Sequence, residues 1–163
     1  MRKYRDFTLK NSNGKDVTIS EELKRNKVLL LFYRGTFWGA WVNQMMQVRH
    51  VYSEILETGT KIYGVSVDNE EKTKVMIDKT GVKFDLLSDE SLKVIDMYNF
   101  RDDELMNWDY LNGLVRKSKE SRPISLSGYV LINQDGFIQY EWSGHYNLRP
   151  LPENVLNILS KVK

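Results

Sequence analysis

The sequence predicts an α/β sandwich on a mixed central sheet with an N-terminal β-hairpin, and three observations carry that expectation. Apolar runs of strand length alternate with segments of helical periodicity through the first two thirds of the chain. Asparagine- and glycine-containing turns sit between short alternating segments near both ends. A final amphipathic stretch, Glu153 to Val162, reads as a closing helix.

Taken in order, Phe7-Thr8-Leu9 and Val17-Thr18-Ile19 flank Asn13-Gly14, a dipeptide suited to a hairpin turn. Ser20 is placed to cap a short helix through Arg25, with Glu21 and Glu22 at the positive end of its dipole. Lys27 to Tyr33 is continuously apolar after Lys27, the pattern of a strand covered on both faces. From Val42 to Thr58 the apolar positions recur at three- and four-residue steps, and Gly59 can stop that helix. Lys61 to Val67 reads as a second strand, and Asp68-Asn69-Glu70-Glu71 as the capped start of a helix ending near Gly81.

Phe84 to Leu87 predicts a third strand followed by the cap Ser88-Asp89, and Leu92 to Tyr98 a short helix. Residues 101 to 121 are charged yet carry Leu105, Trp108, Leu111, Leu114 and Val115 at roughly helical steps, which predicts a partly helical insertion. Tyr129 to Ile132 and Phe137 to Tyr140 flank Asn133-Gln134-Asp135-Gly136 as a second hairpin. No repeat or linker interrupts residues 1–163, so a single domain is expected.

Composition narrows the function classes. The 163 residues, 41% hydrophobic and 12% aromatic, suit a globular unit that removes about two thirds of its unfolded surface from water. With 24 Lys and Arg against 22 Asp and Glu the net charge is +2, too small to imply a nucleic-acid or membrane-surface partner. Basic and aromatic residues do interleave near Trp108, Tyr110, Arg116 and Lys117, but neighbouring Asp102, Asp103, Glu104, Asp109 and Glu120 offset them. The longest apolar run, Val28 to Tyr33, is too short to span a bilayer, and a cytoplasmic protein is expected. The absence of cysteine removes thiolate metal sites and thiol chemistry, and with His50 and His145 as the only histidines no metal site is expected.

The segment Leu29 to Trp41 draws most attention. An apolar run ends in Phe32-Tyr33-Arg34-Gly35 and is followed by Thr36-Phe37-Trp38-Gly39-Ala40-Trp41 at the entrance to the long helix. This resembles the active-site segment of the thioredoxin-like and peroxiredoxin (AhpC/TSA) families. Phe7-Thr8-Leu9-Lys10, Asn13-Gly14-Lys15, Val17 to Ser20, Gly64 to Asp68, Leu86 to Asp89 and Val130 to Gly136 resemble further family segments in order and spacing. The resemblance implies a thioredoxin-like three-layer α/β/α sandwich, with dimers or protein partners. In the thioredoxin pattern the two cysteines fall on Trp38 and Trp41. In the peroxiredoxin pattern proline falls on Arg34, threonine on Trp38 and the peroxide-attacking cysteine on Trp41. The proline that precedes a late strand falls near Ser127, unless an insertion has moved its role to Pro123.

Such chemistry needs a thiolate whose pKa is lowered at a helix N-terminus, and indole has no ionisable nucleophile. Trp38 and Trp41 are therefore degenerate active-site positions, with Tyr33, Arg34, Thr36, Phe37 and Ser127 as candidate pocket residues and no catalytic residue among them. The two tryptophans suit either an aromatic floor for a ligand or partner or an apolar plug of the old cleft. Arg34 suits either an anion held with free helix amides or an ordinary surface position. Ser66 and Ser125 lack a Gly-x-Ser-x-Gly setting, His145 reads as a passive loop residue, and Asp102-Asp103-Glu104 as a solvated helix start. Two functions follow from the resemblance: a non-catalytic binding or scaffold module without cofactor, or an atypical peroxide-linked activity without a cysteine thiol that uses Arg34, Thr36 or a bound cofactor.

Overall fold

In the computed structural model, which describes residues 2–35, 39–102, 124–144 and 152–162, a seven-stranded mixed sheet is covered by helices on both faces. The strands are β1 (Thr8–Lys10), β2 (Asp16–Thr18), β3 (Lys27–Phe32), β4 (Thr60–Ser66), β5 (Asp85–Ser88), β8 (Ser127–Ile132) and β9 (Ile138–Gly144), in the spatial order β2-β1-β5-β4-β3-β8-β9. A separate ribbon pairs β6 (Arg101–Asp102) with β7 (Ile124–Ser125). The helices are α1 (Ile19–Glu22), α2 (Gly39–Glu57), α3 (Glu70–Thr80), α4 (Lys93–Met97) and α5 (Pro152–Lys161).

β3 explains the architecture. It pairs in parallel with β4 and antiparallel with β8, and all its residues are buried. Side chains alternate across a strand, so Val28, Leu30 and Phe32 enter one core with Ile19 of α1 and Val94 and Ile95 of α4. Leu29 and Leu31 enter the other with Met45, Val48, Val51 and Ile55 of α2, Met76 of α3, and Val155 and Leu159 of α5. The three layers follow from this alternation, as the apolar run predicts.

Local chemistry fixes the helix ends. Asn69 is the N-cap of α3, its side chain accepting from Lys72 N–H at 2.9 Å. Gly81 ends that helix with φ 68°, a left-handed cap suited to glycine, and donates to Ile77. Asp89 holds the start of α4 by accepting the Ile95 N–H at 2.7 Å.

Six expectations are corrected. α1 starts at Ile19, so Ser20 is inside the helix; its N–H is accepted by the Asp6 carboxylate at 2.8 Å, which does the capping from outside. α1 also stops at Glu22 instead of Arg25. The first hairpin pairs Leu9 with Val17, placing Phe7 and Ile19 beyond the strands. Arg101 and Asp102, assigned to a helical insertion, form a strand, while 103–121 lies outside the described residues. α2 begins at Gly39, three residues before Val42, and β9 runs on to Gly144.

The β6 connection is pressed onto the sheet by Phe100, which stacks on Phe32 with centroids 4.2 Å apart and rings within 8°. Gly128 makes that approach possible: a Cβ there would lie 2.0 Å from Phe100 Cε1 and 2.4 Å from the Trp142 carbonyl oxygen. The backbone oxygen cannot yield as a flexible side chain can. Gly128→Ala is expected to cost about 3 kcal/mol through overpacking, seen in urea as a lower midpoint with an unchanged slope.

Candidate functional site

Parallel strands β3, β4 and β5 end at one edge of the sheet, and antiparallel β8 begins there. In open α/β sheets this carboxyl end is where ligands bind. It carries Tyr33, Arg34 and Gly35 beyond β3, Ser66 and Asp68 from β4 and its exit, Asp89 beyond β5, and Ser127 at the start of β8. All these polar side chains are buried, a layer of hydrogen-bonding and charged groups above two apolar cores.

The alternation of β3 sends this layer to both faces. Tyr33 continues the row of Leu29 and Leu31 beneath α2. Its phenol is held far above the ordinary tyrosine range, first by burial and then by the negative charge of Asp68, with a hydrogen bond to Ser66 opposing. It stays a neutral phenol across the physiological range, a hydrogen-bonding group and no nucleophile. Asp68 donates its backbone N–H to Ser66 Oγ at 3.1 Å. Its carboxylate packs so tightly on Gly35, at φ 121°, that a Cβ there would lie 2.9 Å from Oδ1. On α2, Gln44 donates to the Tyr129 hydroxyl in a fully buried contact that ties the early helix to β8.

On the other face Arg34 is 3% exposed, and its Nη2 lies 4.0 Å from Asp102 Oδ2. The Phe32–Phe100 stack delivers Asp102 to this place, two residues along from Phe100. The reading of Arg34 as an ordinary surface arginine is thereby overturned, and so is that of Asp102 as a solvated helix start. A buried guanidinium facing a buried carboxylate is an internal ion pair, and removing one partner of such a pair costs far more than the pair contributes.

Of the residues singled out in the sequence, Tyr33, Arg34 and Ser127 meet at this edge, since Phe32 pairs with Gly128 and the next positions follow. The backbone of Trp41 lies in the first turn of α2, at the same end. Thr36, Phe37, Trp38, Pro123 and His145 lie outside the described residues. His50 is exposed on α2. Sequence reasoning missed Gln44, Ser66, Asp68, Asp102 and Tyr129. Asp68 carried a signal as part of a helix start, but only tertiary packing reveals its burial.

The arrangement offers hydroxyls, an amide, carboxylates and a guanidinium for binding. The Tyr33 phenol is pushed away from ionisation, and the chain contains no thiol.

Comparison with known proteins agrees with this frame. The model of the AhpC/TSA family matches residues 1–141. A chloroplastic peroxiredoxin Q of Sedum lineare is 33% identical over 88 residues, covering 54% of this chain and 47% of that protein. A putative peroxiredoxin, bcp, of Helicobacter pylori is 30% identical over 93 residues, covering 57% of this chain and 60% of that protein. The chain thus spans about half the length of the curated relatives it matches. Among solved structures, the peroxidoxin BcpB of Mycobacterium tuberculosis superposes with a TM-score of 0.79 at 16% identity, covering 99% of this chain and 96% of that one. That likeness speaks for the fold. No helix among the described residues is long and apolar enough to cross a membrane.

Asp89 yields a pH prediction. Burial raises its carboxyl above the ordinary 3.8, against the hydrogen bonds from the α4 amides. The folded protein therefore holds this proton more tightly than the unfolded chain. The associated stability is full below 3.8 and is lost as pH rises through the folded value. Urea unfolding of the wild type and Asp89→Asn from pH 3.5 to 7 is expected to show the wild type losing ground to the variant as pH rises, because asparagine keeps an acceptor without the buried charge.

Proposed function

The chain belongs to the AhpC/TSA family, and on that premise we propose that it works without thiol chemistry, as a binding or scaffold module acting through the surface around Trp38 and Trp41. One observation carries the reading: the peroxiredoxin-like frame is kept while the chain contains no cysteine, and Trp41 stands where the family pattern has its peroxide-attacking cysteine. Peroxide reduction by this family needs a thiolate to attack the peroxide oxygen. Nothing else described at the sheet edge supplies that nucleophile, since Tyr33 is held neutral and Arg34 faces Asp102.

Aromatic side chains are enriched at the centres of protein interfaces. The partner is proposed to be a protein, either a second copy of this chain or a different one. A peroxide-linked activity through Arg34 gains no support from an arginine that is buried beside a carboxylate.

Two measurements test the reading. Consumption of hydrogen peroxide and cumene hydroperoxide, with dithiothreitol or thioredoxin as reductant, is expected to equal that of a heat-denatured control; turnover above it overturns the proposal. If the two tryptophans form the proposed surface, acrylamide quenching of tryptophan fluorescence falls in both Trp38→Phe and Trp41→Phe. Unchanged quenching in both would make them a filled core and move the binding surface elsewhere.

A further inference from the structure

Lys27 opens β3 and is only 6% exposed, an unusual place for an ammonium. Its Nζ reaches across the fold to α5 and donates to the carbonyl oxygens of Leu159 at 3.2 Å and Val162 at 2.5 Å. The carbonyls of a helix's last turn have no donor within the helix and carry the negative end of its dipole. One buried cation answers both needs and ties the end of α5 to the first residue of the central strand.

The rest of the α5 attachment is apolar side-chain packing. Val155 and Leu159 are its fully buried apolar side chains, with Leu156, Ile158 and Val162 partly buried, whereas α2 sinks Met45, Val48, Val51 and Ile55 into the same core. α5 packs on α2, and no strand of the sheet takes hydrogen bonds from it in the described ladders. A helix held by side chains alone, outside the hydrogen-bonded ladders, can open as a unit at lower free energy than the sheet it covers.

We propose that α5 is a strap, docked on α2 and latched by Lys27, that lifts as a unit while the sheet stays folded. Undocking breaks the two hydrogen bonds at Lys27 and bares the apolar side of α2, the helix whose first turn borders the candidate site. The latch and the site thus share one helix.

Hydrogen exchange by mass spectrometry on the full chain tests this, comparing the wild type with Lys27→Met, which keeps the apolar stem and removes the donor. In the variant, amides of residues 154–162 are expected to exchange faster by on the order of tenfold, as for a lost hydrogen bond from a charged group, while those of β3, β4 and β8 keep their rates. Unchanged rates in α5, or a uniform acceleration of helix and strands, overturns the strap. Should the variant fail to fold, exchange of the wild type in increasing urea below its transition decides: α5 opening ahead of the strands supports the proposal, and α5 exchanging together with them overturns it.

Discussion

The burial of β3 on both faces is the constraint from which the rest of the structure follows. Six consecutive residues are enclosed between a parallel and an antiparallel neighbour, with alternate side chains committed to different cores. A slip of one residue would exchange those commitments and turn every side chain to the opposite face. The register is further locked where Phe32 meets Phe100 above Gly128, since that glycine is the place at which the β6 connection can approach the sheet. The same period of two then runs past the end of the strand. Tyr33 goes under α2 and Arg34 goes toward Asp102, so the two-sided polar edge is a continuation of the two-sided apolar core.

That polar edge is costly to build. Buried carboxylates and a buried guanidinium each forfeit hydration, which neighbouring dipoles and opposite charges must offset. The compensation is visible: Asp89 faces helix amides, Arg34 faces Asp102, and Asp68 lies against Ser66 and Gly35. A network of this kind specifies one arrangement of its members, because partial satisfaction is worse than none.

Legibility in the sequence divides along a physical line. Features set by neighbours in the chain were readable: the unbroken apolar run of β3, the stop of α2 near Gly59, the Gly81 cap of α3, and the turn from Asn133 to Gly136. Even the α/β/α layering was legible, because a strand that is apolar at every position demands cover on both faces. Features set by partners far along the chain were not. Ser20 had the right chemistry for a cap, yet the helix starts one residue earlier and the Asp6 carboxylate accepts the Ser20 N–H. Two-residue strands such as β6 and β7 have no periodicity to detect, and they exist because Phe100 is held on Phe32. Charge in Asp102 reads as solvation until the fold places Arg34 beside it, and Gln44 is one polar residue on a helix until Tyr129 lies opposite. At the candidate site the positions Tyr33, Arg34 and Ser127 could be named from the family pattern, but their surroundings could not.

Fold and thiol chemistry rest on different atoms in this family. The stability of the sandwich resides in two apolar cores and in the pairing of β3 with its neighbours, and neither uses a sulfhydryl. Thiol peroxidase chemistry resides in a single sulfur whose pKa a helix N-terminus can depress. Removing that sulfur leaves every core contact described here in place, so the frame persists and family membership remains true. In this sequence tryptophan, Trp41, stands where the peroxiredoxin pattern has that cysteine.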